Sequence, residues 1–284
     1  MSKIIFLGTG GDKSVIGRQI RASGGIIIQA EGLQFHLDPG PGSLVKAKEF
    51  GINLRANTAI LASHNHLGHI NDLNVVIDAM TLSGLDKRGV LIANHTVISG
   101  HDNVFPALTN YHKNCLERTI PLKSGQKVGI EDIEIHATPA KHTDPHTIGF
   151  KIVTPRFILG YTSDTAYFKE LAEAFTNVDI LITNTVLPGD QKSDSQLNKE
   201  STVKLIEKVK PRLAIIQHFG FDMLKIDPLI EARDIQRITG VQTIAAKDGL
   251  IITPSSYDAK SRQQRLNLFT KEELKHSQPN TQQK

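Results

Sequence analysis

Residues 63–69 read SHNHLGH, that is Ser63, His64, Asn65, His66, Leu67, Gly68 and His69. They follow the apolar run 59–62, which reads as a strand. They precede Ile70, Leu73, Val76, Ile77 and Met80, whose helical spacing predicts an amphipathic helix over 70–80. Side chains two apart on an extended chain point the same way. His64 and His66 can therefore converge on one metal ion, while His69, at the start of the helix, can face a neighbouring one. Three imidazoles crowded at a strand-to-helix junction are hard to explain by packing. Exposed surface histidines are the bland alternative, and metal binding outweighs it.

On either side, short β-branched runs bounded by Gly, Pro or Asn predict strands at 3–7, 25–29 and 33–37, and again at 132–137, 147–153, 157–161, 178–183, 213–217 and 241–245. Helices are predicted at about 166–175, 199–208 and 228–238. Many strands with helices on their flanks predict an α/β chain of two sheets covered on their outer faces. Three more candidates each follow one of these strands, where a loop leaves a sheet edge: His142, Asp164 and His218. Taken singly each has an ordinary explanation, namely a loop histidine beside Lys141, a helix N-cap before Ala166 and a turn residue before Gly220. Segment 82–114, which holds His95, His101, Tyr111 and His112, has no clear period and reads as a lid or a dimer contact.

Composition narrows the chemistry. A single cysteine, Cys115, excludes an internal disulfide framework and a thiolate metal cluster, so any metal must be held by His and carboxylates. The apolar runs are too short to span a bilayer and the N-terminal stretch does not read as an export signal, which predicts a cytoplasmic protein without a membrane partner. Lys and Arg number 33 against 29 Asp and Glu, a net charge of +4 that permits an anionic substrate without demanding one. No dense basic stripe with interleaved aromatics marks a pure nucleic-acid-binding module. After Pro254 the sequence turns polar. The expected division is one domain over 1–254 and a polar extension over 255–284 whose end is disordered.

A histidine cluster, then a lone His, a lone Asp and a lone His at strand ends, resembles the metallo-β-lactamase superfamily. FLGTGG at 6–11, HLDPGPGS at 36–43, SHNHLGH at 63–69, YTSDT at 161–165 and QHFG at 217–220 carry the likeness, which extends over about residues 1–253. The first and fourth are most similar to the ribonuclease Z and phosphodiesterase branch. The resemblance implies an αββα sandwich, two mixed β-sheets flanked by helices, with metals at one edge. It implies that His64, His66 and His142 bind one ion, that His69 and His218 bind a second, and that Asp164 bridges the two. It also implies that Asp38 steadies the ligand loop, although Asp before Pro-Gly is by itself good turn chemistry. His146, four residues after His142, is expected at the pocket edge as a catalytic or substrate-contacting residue beside Asp164 and His69, and not as a ligand.

Two departures bear on function. The family motif carries Asp where this chain has Gly68, which offers no side-chain ligand and leaves the second site short of an oxygen. Asp72, one helical turn on, is the nearest carboxylate that could reach in its place. Asn184, Thr185 and Val186 stand where ribonuclease Z has His-Glu-Ala-Thr, Gln196 lies near where that branch carries a histidine, and no long Gly/Pro-rich arm for transfer RNA is evident. The expected activity is metal-assisted hydrolysis of a phosphodiester, either a small molecule or a nucleotide, with nucleic acid as a further substrate class and a homodimer as the assembly. The expected cofactor is zinc, one or two ions, with manganese or iron suiting the Asp-bearing second site. A weakly active metal-binding protein and a carboxyl ester or lactone hydrolase are the alternatives.

Overall fold

The computed structural model describes residues 2–257, so the extension expected over 255–284 lies outside the described residues from position 258 onward. Period-two alternation sets the layers. Ile4 and Phe6 face one way and Ile5 and Leu7 the other, yet all four are buried, as a strand covered on both faces requires. The first sheet contains β1 (Lys3–Phe6), β2 (Ile26–Ala30), β3 (Leu33–Leu37), β4 (Asn57–Ala62), β5 (Val90–Ala93) and β6 (Arg118–Pro121) in that spatial order. The second contains β7 (Lys127–Ile130), β8 (Ile133–Pro139), β9 (Ile148–Val153), β10 (Ile158–Tyr161), β11 (Ile180–Leu187), β12 (Leu197–Asn198), β13 (Leu213–Gln217) and β14 (Gln242–Ala245). A last strand, β15 (Ile251–Ile252), returns to pair with β1.

Phe6, Phe35, Leu61, Phe150, Leu159 and Ile182 meet between the sheets. The outer face of the first sheet, including Ile5, Ile60 and Leu91, is covered by helices Ser43–Glu49, Leu73–Thr81 and Asn110–Cys115. The outer face of the second is covered by Lys169–Ala174, Lys199–Val209 and Pro228–Thr239. This is the expected αββα sandwich of two mixed sheets.

Neighbours from β3 to β6 are parallel, as are β10, β11, β13 and β14. The loops that follow parallel strands all leave from one edge, the place where such sheets put their sites. Asp38, His64, Asp164 and His218 each follow the C-terminal end of such a strand.

Three expected elements differ. The helix predicted over 70–80 is two pieces, Leu67–Ile70 and Leu73–Thr81, because the Asp72 N–H donates to Pro39 O instead of continuing the ladder. The helix predicted over 166–175 is only Lys169–Ala174, since the chain is still extended at Phe168. The strand predicted over 178–183 runs on to Leu187 because Leu197–Asn198 pairs with its far end.

Candidate metal centre

Because β3 and β4 are parallel, the loops 38–43 and 63–69 emerge side by side. A Cβ on Gly40 would lie 2.0 Å from Gly68 O and 2.3 Å from Ser23 O, so glycine is what lets the loops touch. Asp38, buried and at φ +50, turns its carboxylate beneath the histidines. Its Oδ1 accepts the Ser63 N–H at 2.7 Å. Its Oδ2 accepts the Ser63 hydroxyl at 2.7 Å, the Tyr161 hydroxyl at 2.6 Å and the His69 Nδ1–H at 2.9 Å. With Nδ1 spent on Asp38, Nε2 is the atom His69 offers to the cluster.

One donor atom each from His64, His66 and His142 lie within 4.8 Å of one another, and so do those of His64, His69 and Asp164. His142 donates Nδ1–H to Ser195 O at 2.8 Å, and its Nε2 stands 3.0 Å from His66 Nδ1. The neighbouring histidine rings meet mainly edge-on or tilted, with His64 at 4.1 Å from His69 and 4.6 Å from His66 between centroids. His218, whose φ is +62, brings Nε2 to 3.3 Å from Asp164 Oδ1 and its ring to 4.5 Å from that of His69. A Cβ on Gly11 would lie 2.1 Å from His218 O, so the loop 6–11 also depends on glycine to reach the site. The structure thus gathers all six expected ligands at one edge, with His218 beside the two compact sets and outside both.

Asp164 sits among them. Its Oδ1 accepts from Asn184 Nδ2 at 2.7 Å and its Oδ2 from Gln196 Nε2 at 3.0 Å, while His69 Nε2 and His142 Nε2 lie 3.6 and 3.7 Å from Oδ2. Gln217 in turn donates to Asn184 Oδ1, and Asn184 also reaches the Tyr161 hydroxyl. The sequence reading noted Asn184 and Gln196 only as departures from a motif. Their task of holding Asp164 was hidden because they lie 20 and 32 residues from it.

Protonation follows from burial and charge. Burial drives His64 well below the ordinary histidine value, and the neighbouring imidazoles add to the effect. Burial, then His142, lowers His66 to about 4. Burial also opposes charge on His69, but Asp164 and Asp38 outweigh it and push its pKa up to about 10. For Asp164 burial disfavours ionisation, and His218 and His69 overcome this to hold the carboxyl well below its usual range. The result is an ionised Asp164 with unprotonated imidazoles at His64 and His66 and a protonated His69 whose Nε2 proton an incoming cation would displace, the proton release that metal binding to histidine entails. His64 Nε2 and His69 Nε2 are buried with no hydrogen-bond partner, a rare condition that a cation between them and Asp164 relieves. The residues fit a metal ion.

The geometry revises one sequence expectation and locates His146, which was expected outside the ligand set. Asp72 does not stand in for a carboxylate at position 68. Its Oδ2 faces the Leu44 N–H and its Oδ1 accepts from Asn71, so it serves the helix start and the 38–43 loop. A Cβ at Gly68 would lie 2.8 Å from Ile16 Cδ1, so an isoleucine methyl stands where a side chain at 68 would begin. His146 is not gathered into the cluster. Its Nδ1 lies 3.1 Å from Thr96 Oγ1 and its ring packs against those of His101 and His95. The intervening Asp144 ties the two regions together by accepting the Asn65 N–H at 3.1 Å and Asn94 Nδ2 at 2.9 Å.

Residues 34–219 match the family described as the beta-lactamase superfamily domain. Among curated proteins, the chain is 36% identical over 250 residues to the uncharacterized protein MJ1374 of Methanocaldococcus jannaschii, covering 87% of this chain and 93% of that one. It is 23% identical over 267 residues to Ribonuclease Z of Borrelia hermsii, covering 75% of this chain and 83% of that enzyme. Among solved structures, the metallo-beta-lactamase fold protein YhfI of Bacillus subtilis superposes with a TM-score of 0.73 at 16% identity, covering 88% of this chain and 98% of that one.

Proposed function

The chain belongs to the beta-lactamase superfamily, and from that premise we propose that it is a cytoplasmic metal-dependent hydrolase of phosphodiesters, with residues 1–254 as its catalytic domain. The observation that carries the reading is the pair of donor sets that share His64, with Asp164 at their centre and two buried imidazole nitrogens lacking any partner. His64, His66 and His142 would hold one ion, and His69, His218 and Asp164 the other. Zinc suits the imidazole-rich set, and manganese or iron suits the set that includes the carboxylate. The choice of phosphodiester, in a small molecule, a nucleotide or a nucleic acid, draws support from the likeness to Ribonuclease Z.

When bound, the ions would make water at the site more acidic and counter the negative charge that grows on the phosphoryl oxygens. The protein's part is arrangement. Asp38 fixes the tautomer and tilt of His69 through Nδ1, Ser195 O does the same for His142, and the carboxamides of Asn184 and Gln196 hold Asp164 in one rotamer. His69 Nε2 and Asp164 Oδ2, 3.6 Å apart, are the atoms we assign to the catalytic floor. His146 is assigned to substrate contact.

The direct test is hydrolysis of an activated phosphodiester by the purified protein before and after chelation and re-addition of zinc or manganese. Activity that vanishes with metal and returns with it is the expected result; unchanged activity in the stripped protein would sink the proposal. His66→Ala removes one of three donors from the imidazole set and is expected to lower metal content by most of one equivalent, read by elemental analysis. Full metal content in that variant would show the set to be misassigned.

Gly68→Asp alone is expected to strengthen the second equivalent only modestly, since the new side chain must first displace Ile16 Cδ1. Gly68→Asp combined with Ile16→Ala clears the space, and the second ion should then bind on the order of tenfold more tightly, because an anionic oxygen replaces solvent as a ligand. Competition with a chromogenic chelator measures this. Equal affinity in the original chain and the double variant would mean that the gap at position 68 is immaterial.

A further inference from the structure

Beside the candidate metal centre lies a cavity of about 200 Å³ whose lining includes His95, Lys123, Ser124, Pro139, Pro145 and His146. No acidic residue lines it. Among the described residues, the Lys123 ammonium and the His95 ring are in no ion pair and no hydrogen bond. The nearest carboxylate to His146 is Asp144, whose Oδ1 is 4.0 Å from Nδ1. That carboxylate is already occupied, because Oδ1 accepts the His146 N–H and the Thr96 hydroxyl while Oδ2 accepts the Asn65 N–H and Asn94 Nδ2. Since Thr96 gives its proton to Asp144, its oxygen accepts from His146 Nδ1–H, and the ring is held as a fixed wall. The cavity therefore offers an ammonium, an imidazole and a hydroxyl without any built-in counter-charge.

Its position ties it to the candidate metal centre. His142 and His146 are four residues apart on one loop, which can span at most about 14 Å, and Asp144 between them holds the backbone of Asn65, the residue separating His64 from His66. A substrate whose reacting phosphate lies at the metal centre would bring a neighbouring unit to this cavity. We infer that the His95, Lys123 and Ser124 cavity is an anion subsite that binds a second phosphate of the substrate, so that the preferred substrate carries two phosphate groups one unit apart. The inference takes its reacting phosphate from the phosphodiester reading above, whereas anion binding in the cavity can be measured without turnover.

The test is calorimetric titration of the metal-loaded full chain with adenosine 3′,5′-bisphosphate and with adenosine 5′-monophosphate at fixed ionic strength. The bisphosphate is expected to bind about tenfold more tightly, as one charge-assisted contact with a phosphate provides. Both residues to be changed are exposed, so Lys123→Ala with His95→Gln should fold normally, which an unchanged melting temperature would verify. In that variant the preference should vanish while monophosphate affinity stays as it was. An equal preference in variant and original, or no preference in either, overturns the subsite. So does an additional equivalent of zinc that the variant loses, because the histidines would then serve a metal. Bisphosphate preference together with an absence of any phosphodiesterase activity would defeat the hydrolase reading and leave the subsite standing.

Discussion

Asp164→Ala is expected to lower kcat/KM for phosphodiester hydrolysis on the order of a thousandfold and to reduce the bound metal as well. The carboxylate is the only acidic group in either donor set. Five side chains are organised around it: Asn184, Gln196, His69, His142 and His218. Loss of the anion would remove the one charged donor of the proposed second ion, worth several kcal/mol of transition-state stabilisation, and at about 1.4 kcal/mol per factor of ten this amounts to roughly three orders of magnitude. It also leaves the buried Asn184 and the half-buried Gln196 carboxamides each with a donor unpaired, so part of the loss will register as reduced thermal stability. Steady-state kinetics with metal analysis on the same sample separates these effects. Asp164→Asn serves as the control, since it keeps the volume while removing the charge, and a rate within tenfold of the original in both variants would exclude Asp164 from catalysis.

Asp38→Ala should act on the fold first. Its carboxylate accepts from Ser63 twice, from Tyr161 and from His69, all buried, and alanine would strand every one of those donors. Breaking a buried charged pair of this kind costs about 3–5 kcal/mol. For a domain of this size that is a fall of roughly 10 °C in melting temperature. Asp38→Asn cannot rescue it, because an amide nitrogen would face hydroxyl and imidazole donors that need an acceptor. Thermal unfolding followed by circular dichroism measures the change. A shift under about 2 °C would mean that water replaces the carboxylate at no cost.

Much of the site was legible because its chemistry is local. The motif 63–69 places three imidazoles by spacing alone, whereas His142, Asp164 and His218, each ordinary when taken singly, are picked out by their order, which resembles that of the metallo-β-lactamase superfamily. The two sheets were legible where a strand is apolar on both faces, as at β13, or alternates strictly, as at β3 with Leu33, Phe35 and Leu37 on one face, and at both the expected and observed limits coincide. What escaped was decided by partners distant in sequence. β5 is four residues long inside a segment with no period, and its strand character comes from parallel neighbours on both sides. The partly exposed β6 and β7 lie at sheet edges and lack the continuous apolar run that marks a central strand. The break at Asp72 needed Pro39 O, and the distinct environment of His146 needed Thr96 and Asp144, contacts that spacing along the chain does not reveal.

The Tyr161 hydroxyl bond to Asp38 crosses between the sheets, joining the end of β10 to the end of β3 over 123 residues of chain. The Ser163 to Ser63 hydroxyl bond crosses beside it. These crossings make the candidate metal centre a property of the closed sandwich rather than of either half. During synthesis the N-terminal sheet emerges with its three histidines already in sequence, but Asp38 lacks Tyr161 and the imidazoles lack Asp164 until the second sheet has been made and docked. On the proposed reading, a nascent or half-unfolded chain would be a poor scavenger of metal, and ion capture would be a late, cooperative event that reports completed assembly.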